Sequence, residues 1–178
     1  MAVSVRHCGP AFEEIVRKDP NDTNTGIDLS AGMLARAIKR LKKNSLSNYN
    51  LSVGTAFKID LVDASIDTLI NNYMFDLMTF DDMDKILQEF KRVLRDGGKL
   101  ILVNMTEGER FGSRLYDWLY RLSPETMGGC RGVKLAERLK KHGFDVDVRE
   151  YYLQLFFPSE VIGLINAKTP NWADCGIR

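Results

Sequence analysis

Apolar positions in this chain recur at two alternating spacings: short unbroken apolar or β-branched runs, and longer stretches in which apolar residues return every three or four positions. The first spacing suits a buried strand; the second buries one face of a helix. Residues 2–6, 25–29, 51–53, 66–71 and 99–104 read as strands. Between them, Phe12, Ile15 and Val16 mark one helix. Met33, Leu34, Ala37, Ile38 and Leu41 mark a second, with Arg36, Lys39, Arg40, Lys42 and Lys43 on its solvated side. Met83, Ile86, Leu87, Phe90, Val93 and Leu94 mark a third over residues 81–95. Asp96-Gly97-Gly98 is expected to end that helix, because glycine accepts the left-handed backbone of a helix C-terminus.

Punctuation supports the same division. Asp19-Pro20-Asn21-Asp22 breaks the first helix, and Ser30 is placed to cap the second. Further helical stretches are expected around Tyr116, Leu119 and Tyr120, and around Leu135, Leu139 and Lys140, the latter ending at Gly143. Residues 144–154 and 160–167 read as a two-stranded antiparallel edge, with a loose tail from Thr169. Strands alternating with amphipathic helices are the sequence form of right-handed crossover units, so the fold class is α/β, a doubly wound and mainly parallel sheet.

Composition narrows the function. At 178 residues and 20.2 kDa the chain suits one domain, expected over residues 1–168 with a C-terminal tail at 169–178. An apolar fraction of 44% with 28% charged residues is that of a globular protein. Lys plus Arg number 25 against 24 Asp plus Glu, so no global positive field draws the chain to nucleic acid or to an anionic membrane. A small-molecule substrate fits better. Cys8, Cys130 and Cys175 lack the paired spacing of a metal site and read as free intracellular thiols. The longest apolar runs, near residues 100–103 and 153–157, are too short to span a bilayer, and a soluble, cytoplasmic protein is expected.

Three pieces carry a family resemblance: Gly26-Ile27-Asp28-Leu29-Ser30 followed by Met33-Leu34, then Val53-Gly54-Thr55-Ala56, then the segment from Phe90 through Asp96-Gly97-Gly98 to Leu100. In this order and spacing the chain, over roughly residues 8–168, resembles class I S-adenosylmethionine-dependent methyltransferases. The branch it is most similar to is that of the ubiquinone and menaquinone biosynthesis methyltransferases. The resemblance implies a Rossmann-like seven-stranded sheet of order 3-2-1-4-5-7-6 with an antiparallel seventh strand, and S-adenosyl-L-methionine as cofactor.

Ligands of such sheets bind outside the carboxyl ends of the strands, so strand exits are the residues to weigh. By the resemblance, Asp28 at the end of the second strand accepts the ribose hydroxyls, with Leu29 beside it; its other reading is a carboxylate serving the following helix. Cys8 and Gly9 belong to the loop that brings backbone N–H groups to the cofactor. In that loop Val5, His7 and Ala11 stand where the family has an acidic residue and two glycines, so weakened cofactor binding is expected. Thr55 and Ala56 occupy the adenine-contacting positions, with threonine in place of the family's aspartate, and Phe57 is expected to be buried, by stacking or by core packing. Asn71 leaves the fourth strand toward the methionine part of the cofactor; Tyr73 and Asn104 are the candidate substrate contacts. Methyl transfer from a sulfonium mainly requires orientation of two reactants, and no catalytic acid or base is assigned.

Family members carry helices before the first strand, whereas here a strand begins within the first few residues. The chain is therefore read as an N-terminally shortened copy whose uncovered apolar surface offers a route to a homodimer. Two functions remain open at this point: methyl transfer to a small-molecule acceptor, and a non-catalytic remnant or engineered fragment acting through protein binding or self-association. A nicotinamide-dependent oxidoreductase would also place an acidic residue after the second strand, but the segment from Arg92 to Gly98 and the antiparallel last strand argue against it.

Overall fold

The computed structural model describes residues 2–5, 9–105, 135–154 and 157–166. Strand β1 (Ala2–Val5) leads to helix α1 (Pro10–Lys18). Pro10 opens the helix, where its missing N–H has no partner to lose, and Arg17 and Lys18 sit at the negative end of the helix dipole. Strand β2 (Asn24–Asp28) is buried along its whole length. Helix α2 (Ala31–Lys43) starts at Ser30, whose hydroxyl accepts the Met33 N–H at 3.3 Å. Strand β3 is Tyr49–Val53 and β4 is Ile66–Asn72, the latter followed by a single 3₁₀ turn, Phe75–Leu77. Helix α3 (Phe80–Val93) is capped by Thr79 and carries Asp81 and Asp82 in its first turn. Strand β5 (Leu94–Met105), helix α4 (Ala136–Lys141) and strands β6 (Phe144–Gln154) and β7 (Phe157–Asn166) complete the described chain.

The strands form one sheet in the order β3-β2-β1-β4-β5-β7-β6. Pairs from β3 through β5 are parallel, and β7 is antiparallel to both β5 and β6. Because the chain steps one way from β1 to β3 and the other way from β4 to β5, right-handed crossovers put α1 and α2 on one face and α3 on the other. The core divides accordingly. Phe12, Val16, Leu34, Ala37 and Leu41 pack together under α1 and α2. Leu69, Leu100, Leu102, Ile162 and Leu164 of the sheet pack with Ile86, Leu87 and Phe90 of α3 and Leu135 and Leu139 at α4. Asp84 of α3 anchors α4 to that layer, pairing with Arg138 at 2.5 Å and with His142 Nε2 at 2.8 Å.

The end of the third helix departs from the sequence reading. It stops at Val93, and β5 begins at Leu94, so Asp96-Gly97-Gly98 lies inside the strand's span. The reason lies in tertiary partners. Ala64 and Ser65 donate to the carbonyls of Arg92 and Val93 at 2.8 and 2.9 Å, and Asn166 Nδ2 donates to those of Leu94 and Arg95. The chain then bulges: Leu94 pairs with Ile66 but Lys99 with Thr68. Gly97, at φ +72°, turns the bulge, and a Cβ on Gly98 would meet the Arg95 carbonyl oxygen at 2.9 Å. The helical stretch expected near Tyr116 and the tail from Thr169 lie outside the described residues.

Candidate functional site

At the carboxyl ends of β2 and β3 lies a small, mostly apolar cleft that opens to solvent. Asp28 and Leu29 form one wall, Gly54, Thr55, Ala56 and Phe57 another, and Met74, Met78 and Ile86 the floor. Asp28 is 6% exposed and its Oδ1 accepts the Ser30 N–H at 2.9 Å, which fixes the carboxylate at the rim. Gly54 allows the loop to close on β2: a Cβ there would lie 2.8 Å from Ile27 Cγ2. Thr55 Oγ1 accepts the Phe57 N–H at 3.3 Å, which orders the turn at the mouth. Phe57 is 43% exposed rather than buried, because the turn lifts its ring to the cleft rim instead of into the core.

The loop that supplies this wall, between β3 and β4, is held from behind by Arg92 and Glu89 of α3. Arg92 of α3 donates to the carbonyls of Ile59 and Leu61, both at 2.9 Å, and to Asp63 at 2.5 Å. It also meets both oxygens of Glu89, at 2.8 and 2.7 Å, and Glu89 in turn accepts the Ile59 N–H at 2.6 Å. The Arg92 hydrogen bonds hold the Glu89 carboxyl below its usual range, against the opposing effect of burial, and Glu89 and Asp63 raise the guanidinium above its own.

A second polar cluster lies at the same end of the sheet. Asn71, next to the last residue of β4, is fully buried, and Asn104 near the end of β5 is 1% exposed. In the register Asn104 stands opposite Glu160 of β7, and Asn71 beside Leu102. Glu160 is also fully buried; Arg149 grips its Oε2 at 2.7–2.8 Å. Among the described residues, both amide atoms of Asn71, both of Asn104 and Oε1 of Glu160 have no hydrogen-bond partner. A buried polar atom left unpaired costs about 1–3 kcal/mol, so five in one row is a concentrated expense of stability. Tyr73, the residue after β4, sits at φ +48°, a conformation that costs a bulky side chain about 1–3 kcal/mol and that gathers at functional sites. Its N–H donates to the Val103 carbonyl at 2.6 Å, and its hydroxyl lies 3.4 Å from Ser159 Oγ.

Of the residues singled out in the sequence, Asp28, Leu29, Thr55 and Ala56 therefore share the cleft, while Asn71, Tyr73 and Asn104 sit at the ends of β4 and β5, outside its lining. Gly9 is buried at the start of α1, its carbonyl accepting from Phe12. Cys8 and His7 lie outside the described residues. Sequence reasoning missed Met78 and Ile86 as cleft lining, the Arg92–Glu89 clamp, and Glu160. Glu160 joins Asn104 only through the register of β7 on β5. Among the described residues no group of three or more His, Cys, Asp or Glu is arranged to hold a metal, and no helix is long and apolar enough to cross a membrane.

An apolar lining with one buried carboxylate, outside the carboxyl ends of two parallel strands, lies where open α/β sheets bind their ligands. Comparison with known proteins points the same way. Residues 8–126 match the model of a methyltransferase domain family. A demethylmenaquinone methyltransferase of Thermotoga maritima is 30% identical over 168 residues, covering 83% of this chain and 70% of that protein. Across the first four curated relatives the match spans 32–70% of their length. Among solved structures, a SAM-dependent methyltransferase of Methanosarcina mazei superposes with a TM-score of 0.77 at 17% identity, covering 94% of this chain and 92% of that one. The [4+2]-cyclase SpnF superposes with a TM-score of 0.74 at 16% identity, covering 94% and 74%. At such identities the superpositions establish the fold, and a cyclase among them shows that this fold does not by itself fix the reaction. The family assignment rests instead on the sequence match, on which the chain belongs to the class I S-adenosylmethionine-dependent methyltransferases.

Proposed function

We propose that this chain transfers a methyl group from S-adenosylmethionine to a small-molecule acceptor. The observation that carries the reading is Asp28: a buried carboxylate at the end of β2, oriented by the Ser30 N–H, on the rim of an apolar cleft. The observed strand order, with β7 antiparallel, matches the arrangement the family resemblance implies and supports the reading.

In this reading Asp28 accepts the ribose hydroxyls, Thr55, Ala56 and Phe57 border the adenine, and Met74, Met78 and Ile86 keep water from its inner edge. Gly9, at the amino end of α1, serves the methionine portion with Cys8 and Asn71, while Tyr73 and Asn104 face the acceptor. The cofactor supplies an electrophilic methyl on a sulfonium. The chain's own contribution is to hold two reactants in line, which for a displacement of this kind supplies much of the rate enhancement. Val5, in place of the family's carboxylate, leaves the amino group of the cofactor less firmly held. The domain is taken to extend over residues 1–168. Titration of S-adenosylhomocysteine tests the reading: binding that weakens in Asp28→Asn supports it, and absence of binding to the wild-type chain refutes it.

A further inference from the structure

On one face of the sheet three neighbouring strands change character at the same edge. Leu69 gives way to Asn71 on β4, Leu100 and Leu102 to Asn104 on β5, and Leu164 and Ile162 to Glu160 on β7, every one of these side chains buried. The register makes this a continuous patch: Leu69 pairs with Leu100 and Leu100 with Leu164, and Leu102 pairs with Ile162 one step before Asn104 meets Glu160. At the other end of this face the buried Asn166 spends its amide N–H on the carbonyls of Leu94 and Arg95, whereas the polar groups at the carboxyl ends of the parallel strands lie where open α/β sheets bind ligands.

Chemistry then specifies the ligand. Arg149 takes Oε2 of Glu160 and balances its charge, so the patch presents no net charge; Oε1 is left to accept a hydrogen bond. Asn104 and Asn71 each add an amide oxygen and an amide nitrogen that are unpartnered among the described residues. A neutral hydroxyl meets this set, donating to Glu160 Oε1 and accepting from an asparagine amide. We propose that Glu160, held by Arg149, is a specificity-determining residue that reads a neutral hydroxyl group on the methyl acceptor. This inference rests on the methyltransferase reading above, and it assigns a role to β7, a strand outside the nucleoside cleft.

The test uses three probes of similar size: phenol, anisole, which lacks the O–H donor, and the cation benzylammonium. Each is titrated into the chain in the presence of S-adenosylhomocysteine and followed through the backbone amide resonances of Asn104 and Glu160. Phenol is expected to shift both resonances and to bind about tenfold more tightly than anisole, the usual worth of a hydrogen bond to a charged acceptor. Benzylammonium should gain no such advantage. Glu160→Gln, measured with its melting temperature and S-adenosylhomocysteine affinity, should bring phenol down to the level of anisole. Equal binding of phenol and anisole by the wild-type chain, or tighter binding of benzylammonium, overturns the inference without recourse to any variant. Failure of S-adenosylhomocysteine to bind refutes the methyltransferase reading separately, because that ligand occupies the Asp28 cleft.

Discussion

Arg92→Ala removes the side chain that makes most of the hydrogen bonds between α3 and the β3–β4 loop, leaving the Ile59 N–H on Glu89. Two carbonyls, at Ile59 and Leu61, lose a charged donor, and Glu89, whose side chain is only 13% exposed, loses its charged partner. Hydrogen bonds to charged groups are worth about 1.5–3 kcal/mol each when buried, and Arg92 is one-third exposed, so screening brings the sum to about 2–3 kcal/mol. For a domain of this size that is a fall in melting temperature of about 4–12 °C. The loop also carries Ala56 and Phe57, so S-adenosylhomocysteine should bind more weakly once the wall is loose. Thermal melts of the wild type, Arg92→Ala, Glu89→Ala and the double variant separate the pair from its surroundings, and the double variant should melt close to the more damaged single one. Strictly additive losses, or an Arg92→Ala melt within about 1 °C of wild type, would refute the clamp.

Further expectations concern protons and the cleft rim. Because the Glu89 carboxyl is held below its usual value of 4.5 in the folded chain, its contribution is complete above that pH and vanishes as the pH falls through the depressed value. The melting-temperature gap between wild type and Glu89→Gln should therefore be open at neutral pH and closed in strong acid; a gap independent of pH contradicts the pairing. Phe57→Ala should weaken S-adenosylhomocysteine about tenfold through lost stacking while changing stability by less than about 0.5 kcal/mol, since the ring is largely at the surface. A calorimetric titration beside a thermal melt checks both halves of that statement.

Much of this molecule was legible before any coordinates. The strand at residues 25–29 and the apolar stripe from Met83 to Val93 announced their periods plainly, and Ser30 was recognisable as a cap because nothing but local chemistry is needed to make one. The helix end at Val93 was not, since its carbonyls are satisfied by Ala64 and Ser65, about thirty residues earlier. A glycine pair nearby was the stronger local signal and served a bulge instead. The same distinction divides the site. Asp28 ends a strand and Thr55 follows one, and both could be located by counting, whereas Glu160 gains meaning only when β7 runs back along β5, and Met78 only when the chain after β4 folds under the cleft. Phe57 shows the remaining limit: its hydrophobicity argued for burial, and the turn geometry at Thr55 decided otherwise.

The central claim is that Asp28 and the cleft beside it hold the nucleoside of a methyl donor. Isothermal titration of S-adenosylhomocysteine into the wild-type chain and into Asp28→Asn tests it most directly, because asparagine keeps an acceptor for the Ser30 N–H while removing the charge. Micromolar binding by the wild type, weakened at least about tenfold by the substitution with the melting temperature unchanged, is the expected result. Undetectable binding at millimolar ligand, or equal affinity in the two proteins, would contradict the account.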